Sequence, residues 1–205
     1  MIWLIVTTSI KNKSGVVDEN HRRVRYIECI LTVMQMTANT SIRVIVVENN
    51  GSQPTYLDDL GSTIVYTNNN EKSFPHKGVN ELLDIQHVID EYAIPDDDVV
   101  IKLTGRYKLL SPAFIQMVLE NCEAYDAFVK FFNVCAKEYM HDDCVLGLFA
   151  SRCKYLRGFT YPCERSPECE FATHIRGCVD PKRLMEVQHL DLECCFADDL
   201  RMLVV

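Results

Sequence analysis

A short apolar run in the middle of the chain, Val-Val-Ile-Lys-Leu at 99–103, is the feature that most constrains the fold. The run follows an acidic turn and stops at Thr104-Gly105-Arg106-Tyr107, which is typical of a strand buried on both faces. Ser111 and Pro112 then predict the start of a helix. Such strands belong to α/β sheets, whose ligands bind just beyond the carboxyl ends of the strands. The sequence therefore predicts an anion-binding site at this turn.

Strand and helix patterns alternate through the first half of the chain. A polar loop is expected between the first strand and the first helix, whose Val24, Ile27, Ile30, Leu31 and Met34 are expected on one apolar face. The alternation predicts an α/β fold with a mostly parallel central sheet flanked by helices on both faces. The predicted elements are strand Ile2–Thr7, helix Glu19–Met36, strand Ile42–Val47, strand Thr63–Tyr66, helix Gly78–Tyr92 and strand Val99–Leu103.

The pattern is looser in the second half. No repeat, low-complexity tract or linker divides the chain, so we interpret 1–205 as one domain, with a nucleotide-binding half at about 1–110 and an acceptor and catalytic half at about 111–205. The elements predicted for the second half are strands Ala127–Phe132 and Val145–Ala150, helical segments at 154–156, at 168–175 and from Pro181, a strand at Cys194-Cys195 and a strand at Leu200–Val205.

Composition narrows the class of protein. The net charge of -8, with no basic stripe, argues against nucleic acid as the main partner. No apolar run reaches the roughly 20 residues of a membrane span, and the first residues lack a basic leader. The ten cysteines contain no CxxC pair, and Cys163, Cys169 and Cys178 around His174 match no standard zinc spacing. The sequence therefore predicts a soluble cytoplasmic protein with reduced thiols.

Three predicted strands end in polar clusters, at 7–9, 48–50 and 104–106. Right-handed crossovers place such ends along one edge of a sheet, so we expect the clusters to share a cleft. Glu48 could accept hydrogen bonds from ribose hydroxyls or a base amide, and Lys77 adds a cation at a helix start. Together they indicate a nucleotide diphosphate. The alternative is ordinary turn chemistry, with Arg106 paired to Asp96 or Asp98.

Other common sites lack their motifs. No GxGxxG follows the first strand, and the sequence has no GxxxxGK[ST], so neither a dinucleotide fold nor a P-loop is indicated. No GxSxG elbow supports a serine hydrolase, and nothing singles out a Cys/His nucleophile pair.

The order of the motifs resembles the GT-A glycosyltransferases, especially the inverting family-two type. Residues 6–10 resemble that family's first strand, and 45–52 are similar to its "V-V-D-D-G-S" signature, with Glu48 at the acid that reads the nucleoside. Asn70 and 77–80 resemble the "N-x-G" stretch, and 147–159 resemble the "G-x-x-x-x-R-R … G-G-F" acceptor segment. Segments 102–107 and 143–148 also resemble sugar-transferase-like proteins of large DNA viruses.

The resemblance implies transfer of a sugar from a nucleotide-diphosphate sugar, with a UDP-sugar favoured, to a hydroxyl of a glycan or glycoprotein. For a viral protein it implies glycan assembly on a capsid protein in the host cytoplasm. Glu170, in the segment that matches an "E-D" motif, is the expected base, with Asp143 and Glu168 in reserve. The expected donor-binding residues are Thr7, Thr8, Ser9, Glu48, Asn49, Asn70, Lys77, Lys102, Thr104, Arg106 and Tyr107.

One departure from the family concerns its metal. The Asp-x-Asp that holds Mn²⁺ or Mg²⁺ against the diphosphate would fall on Thr104-Gly105-Arg106, and a hydroxyl and a guanidinium do not ligate such cations as carboxylates do. We hypothesise that Arg106, with Lys102 or Lys77, supplies the positive charge instead. The alternative is a cation held by Asp96, Asp98, Asp142 or Asp143.

Two other classes of protein fit the same pattern. A nucleotidylyltransferase could share the sheet and its anion-binding edge, although its Gly-rich phosphate loop would follow the first strand and residues 7–13 contain no Gly. A non-catalytic nucleotide- or sugar-binding module would explain the missing carboxylates. Hydrolysis of the donor without acceptor separates such a module from an enzyme.

Overall fold

The computed structural model describes residues 1–11, 18–51, 54–196 and 201–205. Residues 12–17 of the expected polar loop Lys11–Asp18, as well as Ser52 and Leu200, lie outside them. Within the described residues the elements, in chain order, are β1 (Ile2–Thr8), α1 (Glu19–Thr37), β2 (Arg43–Glu48), β3 (Thr63–Tyr66), α2 (Lys77–Glu91), β4 (Val99–Thr104), β5 (Lys108–Leu109), α3 (Ala113–Asn121), β6 (Ala127–Val129), β7 (Leu148–Arg152), α4 (Lys154–Arg157), α5 (Pro167–Cys178), β8 (Leu184–Glu186), β9 (Leu192–Cys195) and β10 (Met202–Val204).

The main sheet has the order β3-β2-β1-β4-β7-β6-β8. Its first four strands are parallel, β7 runs antiparallel to β4 and β6, and β8 is again parallel to β6. A small antiparallel sheet has the order β10-β9-β5. The predicted α/β class with a mostly parallel central sheet is confirmed. No helix in the described parts of the chain is long and apolar enough to cross a membrane.

Side chains alternate between two cores on the two faces of the sheet. Leu4 and Val6 of β1 face one core with α1 and α3, whereas Trp3 and Ile5 face the other with α2 and α5. Every residue of β1 and of β4 is buried, as expected for central strands covered on both faces.

The predicted apolar face of α1 is wrong at two positions. Val24 is 66% exposed and Leu31 is 39% exposed, whereas Tyr26, Ile30 and Val33 are fully buried. Val24 lies two residues from Tyr26, which is about 200° around the helix axis, so both cannot face the sheet. The buried face instead begins with two arginines, Arg22 and Arg25.

Boundaries in the second half differ from those predicted. Strand β6 ends at Val129 rather than Phe132, and β7 covers 148–152 rather than 145–150. Pro112 precedes α3 as its cap residue instead of opening it. A helix does begin at Pro181, as predicted, but it is a 3₁₀ helix of three residues, Pro181–Arg183, that leads directly into β8. The last strand pairs with β9 in the small sheet.

Replacing Asp126 by Asn is expected to lower the free energy of unfolding at pH 7 by about 2 kcal/mol. The Asp126 carboxylate accepts from Arg183 at 2.7 Å, Tyr155 at 3.1 Å and Arg152 at 3.3 Å. The hydrogen bond from Arg183 leads the contacts that lower the pKa of Asp126 to about 2 from 3.8. This stability is present above pH 3.8 and is lost as the pH falls through 2. Urea unfolding between pH 7 and 2 should show a flatter profile for the variant, and parallel profiles would contradict the assignment.

Candidate functional site

The polar strand ends meet at one edge of the sheet. Thr8 of β1 lies opposite Glu48 of β2, and Thr7 lies opposite Thr104 of β4. A cleft of about 340 Å³ opens above them. Of the residues expected to bind the donor, five line the cleft: Ser9, Asn49, Asn70, Lys77 and Arg106. The other six are not part of its lining: Thr7, Thr8, Glu48, Lys102, Thr104 and Tyr107.

Glu48 lies below the cleft and supports its floor. The side chain is 1% exposed, and its carboxylate accepts from the Thr8 hydroxyl at 2.7 Å and from the Ile10 N–H at 3.1 Å. It also accepts from the backbone N–H and the side-chain amide of Asn50. Because these donors take up both carboxylate oxygens, Glu48 fixes the β1 and β2 exits to each other and presents no free oxygen to a nucleoside.

A second buried carboxylate, Asp84 of α2, holds the loops after β2 and β3. Asp84 is fully buried and accepts from Asn49 at 2.9 Å, Thr67 at 2.7 Å and Asn69 at 2.8 Å. Burial raises the pKa of Asp84 to about 6 even though these three hydrogen bonds favour the ionised form. One side chain thus positions the asparagine-rich wall of the cleft.

Lys102 is neutralised inside the protein. Its ammonium group lies 2.6 Å from a Glu81 carboxylate oxygen and donates to the Thr104 hydroxyl at 2.6 Å and the Leu146 carbonyl at 2.9 Å. Burial opposes the charge on Glu81, but Lys102 and then Arg106 outweigh it and hold the pKa of Glu81 below its usual range. Since Lys102 is 1% exposed, it orients Glu81 and cannot reach a ligand in the cleft.

Arg106 is the cation that β4 delivers to the cleft. Gly105 makes this possible, because a Cβ there would lie 2.9 Å from the Thr7 carbonyl oxygen and 2.9 Å from a Tyr26 ring carbon. Its N–H instead donates to the Thr7 carbonyl at 2.9 Å. The Arg106 Nε donates to the Cys195 carbonyl at 3.3 Å, and the side chain forms part of the cleft lining.

Tyr107 has a packing role. Its ring covers Gly147, where any side chain would overlap it, and joins the core formed with α1. Burial raises the pKa of the Tyr107 hydroxyl.

The carboxylate of Glu170, the expected base, is hydrogen-bonded to the protein backbone. Its carboxylate accepts from the N–H groups of Cys163 at 3.1 Å, Glu164 at 2.6 Å and Arg165 at 2.9 Å. Burial opposes ionisation, but these three donors hold the pKa of Glu170 below its usual range. A carboxylate with a lowered pKa and occupied oxygens is a poor proton acceptor, so the contacts assign Glu170 to holding the 163–165 loop on α5.

Glu168 and Asp143, the reserve candidates, have raised pKa values, whereas the pKa of Glu170 is lowered. Burial raises the pKa of Glu168, and the charges of Asp143 and Glu81 raise it further. Burial also raises the pKa of Asp143, whose carboxylate accepts from Asn133 at 2.6 Å. Because the first turn of α5 packs Pro167 against Gly78 of α2, Glu168 is held beside the helix that carries Glu81.

The residues of the site do not fit a divalent cation. Asp96 and Asp98 precede β4 and so lie at the opposite edge of the sheet, where Asp96 pairs with Arg157 at 2.9 Å and Asp98 accepts from Trp3 at 2.9 Å. Neither pairs with Arg106. Glu81, the acid nearest to the Asp-x-Asp position, is paired with Lys102. Across the described ranges no group of three His, Cys, Asp or Glu side chains is arranged to hold a metal ion.

Sequence reasoning missed Arg22, Glu81 and Asp84. A signal for the two acids was present, because Lys77, Glu81 and Asp84 have the i, i+4, i+7 spacing of one helix face, beside the apolar face of α2. Arg22 gave no such signal, since its contact with the cleft depends on how α1 packs.

Known proteins match this chain in structure but not in sequence. No protein-family model and no curated sequence matches the chain. A protein of Desulfovibrio desulfuricans G20 described as a nucleotide-diphospho-sugar transferase is similar over 91% of this chain and 79% of its own, with TM-score 0.57 and 11% identity. A CMP:2-keto-3-deoxy-manno-octonic acid synthetase complexed with CTP is similar over 91% and 89%, with TM-score 0.55 and 12% identity.

A mannosyltransferase of Pyrobaculum calidifontis in complex with GDP-Man and Mn²⁺ is also similar, with TM-score 0.56 and 13% identity. The match covers 92% of this chain and 55% of the mannosyltransferase. Identities of this size show a shared fold. The chain therefore has the α/β fold found in nucleotide-sugar transferases and nucleotidyltransferases.

Proposed function

We propose that this protein is a transferase that moves a sugar from a nucleotide-diphosphate sugar to a hydroxyl of a glycan or glycoprotein. The observation that carries the proposal is the cleft at the carboxyl ends of β1, β2 and β4, where Arg106 occupies the Asp-x-Asp position. Open α/β sheets bind ligands at this edge. The fold shared with nucleotide-sugar transferases supports the same class of substrate.

The lining of the cleft suits a donor in which an anionic diphosphate joins a nucleoside to a sugar. Arg106 and Lys77 supply positive charge for a diphosphate, in a protein whose net charge is -8. Ser9, Asn49 and Asn70 supply hydroxyl and amide groups for hydrogen bonds with ribose or base. A UDP-sugar is the first donor to test. The guanidinium takes the part that a divalent cation would take against the leaving diphosphate.

The proposed reaction is a displacement at the anomeric carbon. The acceptor oxygen forms a bond to that carbon while the bond from carbon to the diphosphate oxygen breaks, and the bonding electrons leave with the nucleoside diphosphate. The acceptor proton passes to a carboxylate. Glu168 takes this role in our proposal because its raised pKa favours proton uptake, with Asp143 in reserve. A single displacement inverts the anomeric configuration.

A nucleotidylyltransferase is the second candidate, because the synthetase complexed with CTP has the same fold. Such an enzyme would join a nucleoside triphosphate to a sugar and release pyrophosphate. The two candidates differ in their products. A sugar transferase releases a nucleoside diphosphate from a nucleotide-sugar, and a nucleotidylyltransferase releases pyrophosphate from a triphosphate.

Calorimetric titration with UDP, GDP, CMP and their sugar conjugates tests the proposal. Each titration is run with Mn²⁺ and again with chelator, and we expect one diphosphate to bind in both conditions because Arg106 supplies the charge. Binding that disappears with chelator would contradict the role of Arg106. Failure of every nucleotide to bind would contradict the proposed function, and binding with neither transfer nor hydrolysis of the donor would indicate a non-catalytic module.

A further inference from the structure

The guanidinium of Arg22 is buried beside the cleft with unused donors. Arg22 belongs to the first turns of α1 and is 2% exposed, yet it is part of the cleft lining. Its Nη2 donates to the Ser9 carbonyl at 2.8 Å and the Tyr26 hydroxyl at 3.1 Å. Its Nε and Nη1 are buried without a hydrogen-bond partner. Burying arginine nitrogens without hydrogen-bond partners destabilises the protein. A ligand that accepts hydrogen bonds from these nitrogens would remove that destabilisation, which favours its binding.

Tyr26 connects Arg22 to the cation at the Asp-x-Asp position. The Tyr26 side chain is fully buried, and Arg22 lies over its ring at 5.6 Å from the centroid. A Cβ on Gly105 would lie 2.9 Å from the same ring, which brings the β4 turn against it. Burial opposes the charge on Arg106, but Tyr26 leads the contacts that raise the pKa of Arg106. The two guanidiniums therefore adjoin one phenol.

Among the described residues, no Asp or Glu forms an ion pair with Arg22 or Arg106. Glu81 is the acid that acts on Arg106, and it is already paired with Lys102. Arg22 forms no ion pair with an Asp or Glu of the described residues, in contrast to Arg25 one turn further along α1, which pairs with Glu193 at 2.7 Å. Glu71 and Glu81 also line the cleft, but neither forms an ion pair with Arg22 or Arg106, and two neighbouring guanidiniums without such a pair favour a polyanion with several oxygens.

We propose that Arg22 and Arg106, joined through Tyr26, form a two-guanidinium site that binds a diphosphate group without a metal ion. The inference rests on the proposed function in one respect: the diphosphate is that of the nucleotide-sugar. Arg22 is then a second binding residue for the leaving group, on a helix that carries no motif for it.

Titration with inorganic pyrophosphate in EDTA tests this site directly. We expect saturable binding to the wild-type protein and weaker binding of orthophosphate, which offers fewer oxygens. Arg22→Gln and Arg106→Gln should each weaken pyrophosphate binding about 10-fold or more, because each removes a charged hydrogen-bond donor. Arg23→Gln is the matched control: it removes the same charge from the next position of α1, where Arg23 is exposed and lies over Tyr56. The control should stay within about 2-fold.

Arg22→Lys keeps the charge and loses the guanidinium fork, and it replaces the glutamine variant if thermal unfolding shows that variant to be unfolded. Its pyrophosphate affinity should fall between those of the wild type and the Arg106→Gln variant. Absence of pyrophosphate binding to the folded wild type, or Arg22 variants that bind as tightly as Arg23→Gln, would overturn the proposal. Pyrophosphate binding that depends on Arg22 while no nucleotide-sugar binds would leave the site standing and contradict the proposed function alone.

Discussion

Replacing Lys102 by Met is expected to lower the free energy of unfolding by about 2–3 kcal/mol, between the values for a fully buried and a surface ion pair. The substitution removes the ammonium group that neutralises Glu81 at 2.6 Å and leaves that carboxylate next to the core without its cation. The Thr104 hydroxyl and the Leu146 carbonyl lose a partner in the same step. Because the Lys102 side chain is 2% exposed, water cannot reach the vacated partners Thr104 and Leu146, whereas Glu81 is 24% exposed and keeps its contact with the cleft. Urea unfolding followed by circular dichroism measures the loss.

The Lys102→Met/Glu81→Leu double variant is the control. The double variant has no Glu81 carboxylate that lacks its cation. It should therefore recover at least half of the stability that the single variant loses. If the free energy of unfolding of Lys102→Met is within about 1 kcal/mol of the wild-type value, the Lys102–Glu81 pair contributes no more than a surface salt bridge. That result would contradict the prediction.

Replacing Glu168 by Gln is expected to lower kcat for sugar transfer by about 10²- to 10⁴-fold and to leave the Kd of the donor within about 2-fold. The amide has nearly the shape of the carboxylate and cannot take the acceptor proton. Since burial raises the pKa of Glu168, wild-type kcat should fall as the pH drops through a value above the ordinary glutamate range. Steady-state kinetics from pH 5 to 8, with calorimetry of the donor, separate the two effects.

Glu170→Gln provides the matched comparison two residues away. Its amide cannot accept from all three N–H groups of the 163–165 loop, so we expect a loss of stability of about 1–3 kcal/mol, with transfer retained in the folded fraction. A Glu168→Gln variant with most of the wild-type kcat would move the base elsewhere. Loss of kcat in a stable Glu170→Gln variant would return the role to Glu170.

The first half of the fold was predictable because its strands are long and buried on both faces. The apolar runs that form β1, β2 and β4 have few other ways to avoid water, and their polar ends mark the carboxyl edge. β6 and β8 have three residues each, too few to show a period. Their pairing depends on neighbours far away in sequence.

The candidate site was predictable by position more than by role. Strand ends located the cleft, but which end residues face a ligand depends on side-chain partners that the sequence does not show. Glu48 and Lys102 are both turned inward by such partners. Glu168 and Glu170 lie on one helix, and the loop before it donates its N–H groups to Glu170. Arg22 reaches the cleft because α1 packs its Tyr26 against Gly105 in the turn after β4. The sequence does not show this packing.

The contact between Tyr107 and Gly147 has a consequence for relatives of this chain. The Tyr107 ring fills the volume where a side chain at 147 would stand, and the Gly147 carbonyl accepts the Thr104 N–H at 2.8 Å, so neither backbone can retreat. A larger residue at one position therefore requires a smaller one at the other. In homologous sequences these two positions should change together, and that coupling would report the contact between the β4 turn and the residue that precedes β7.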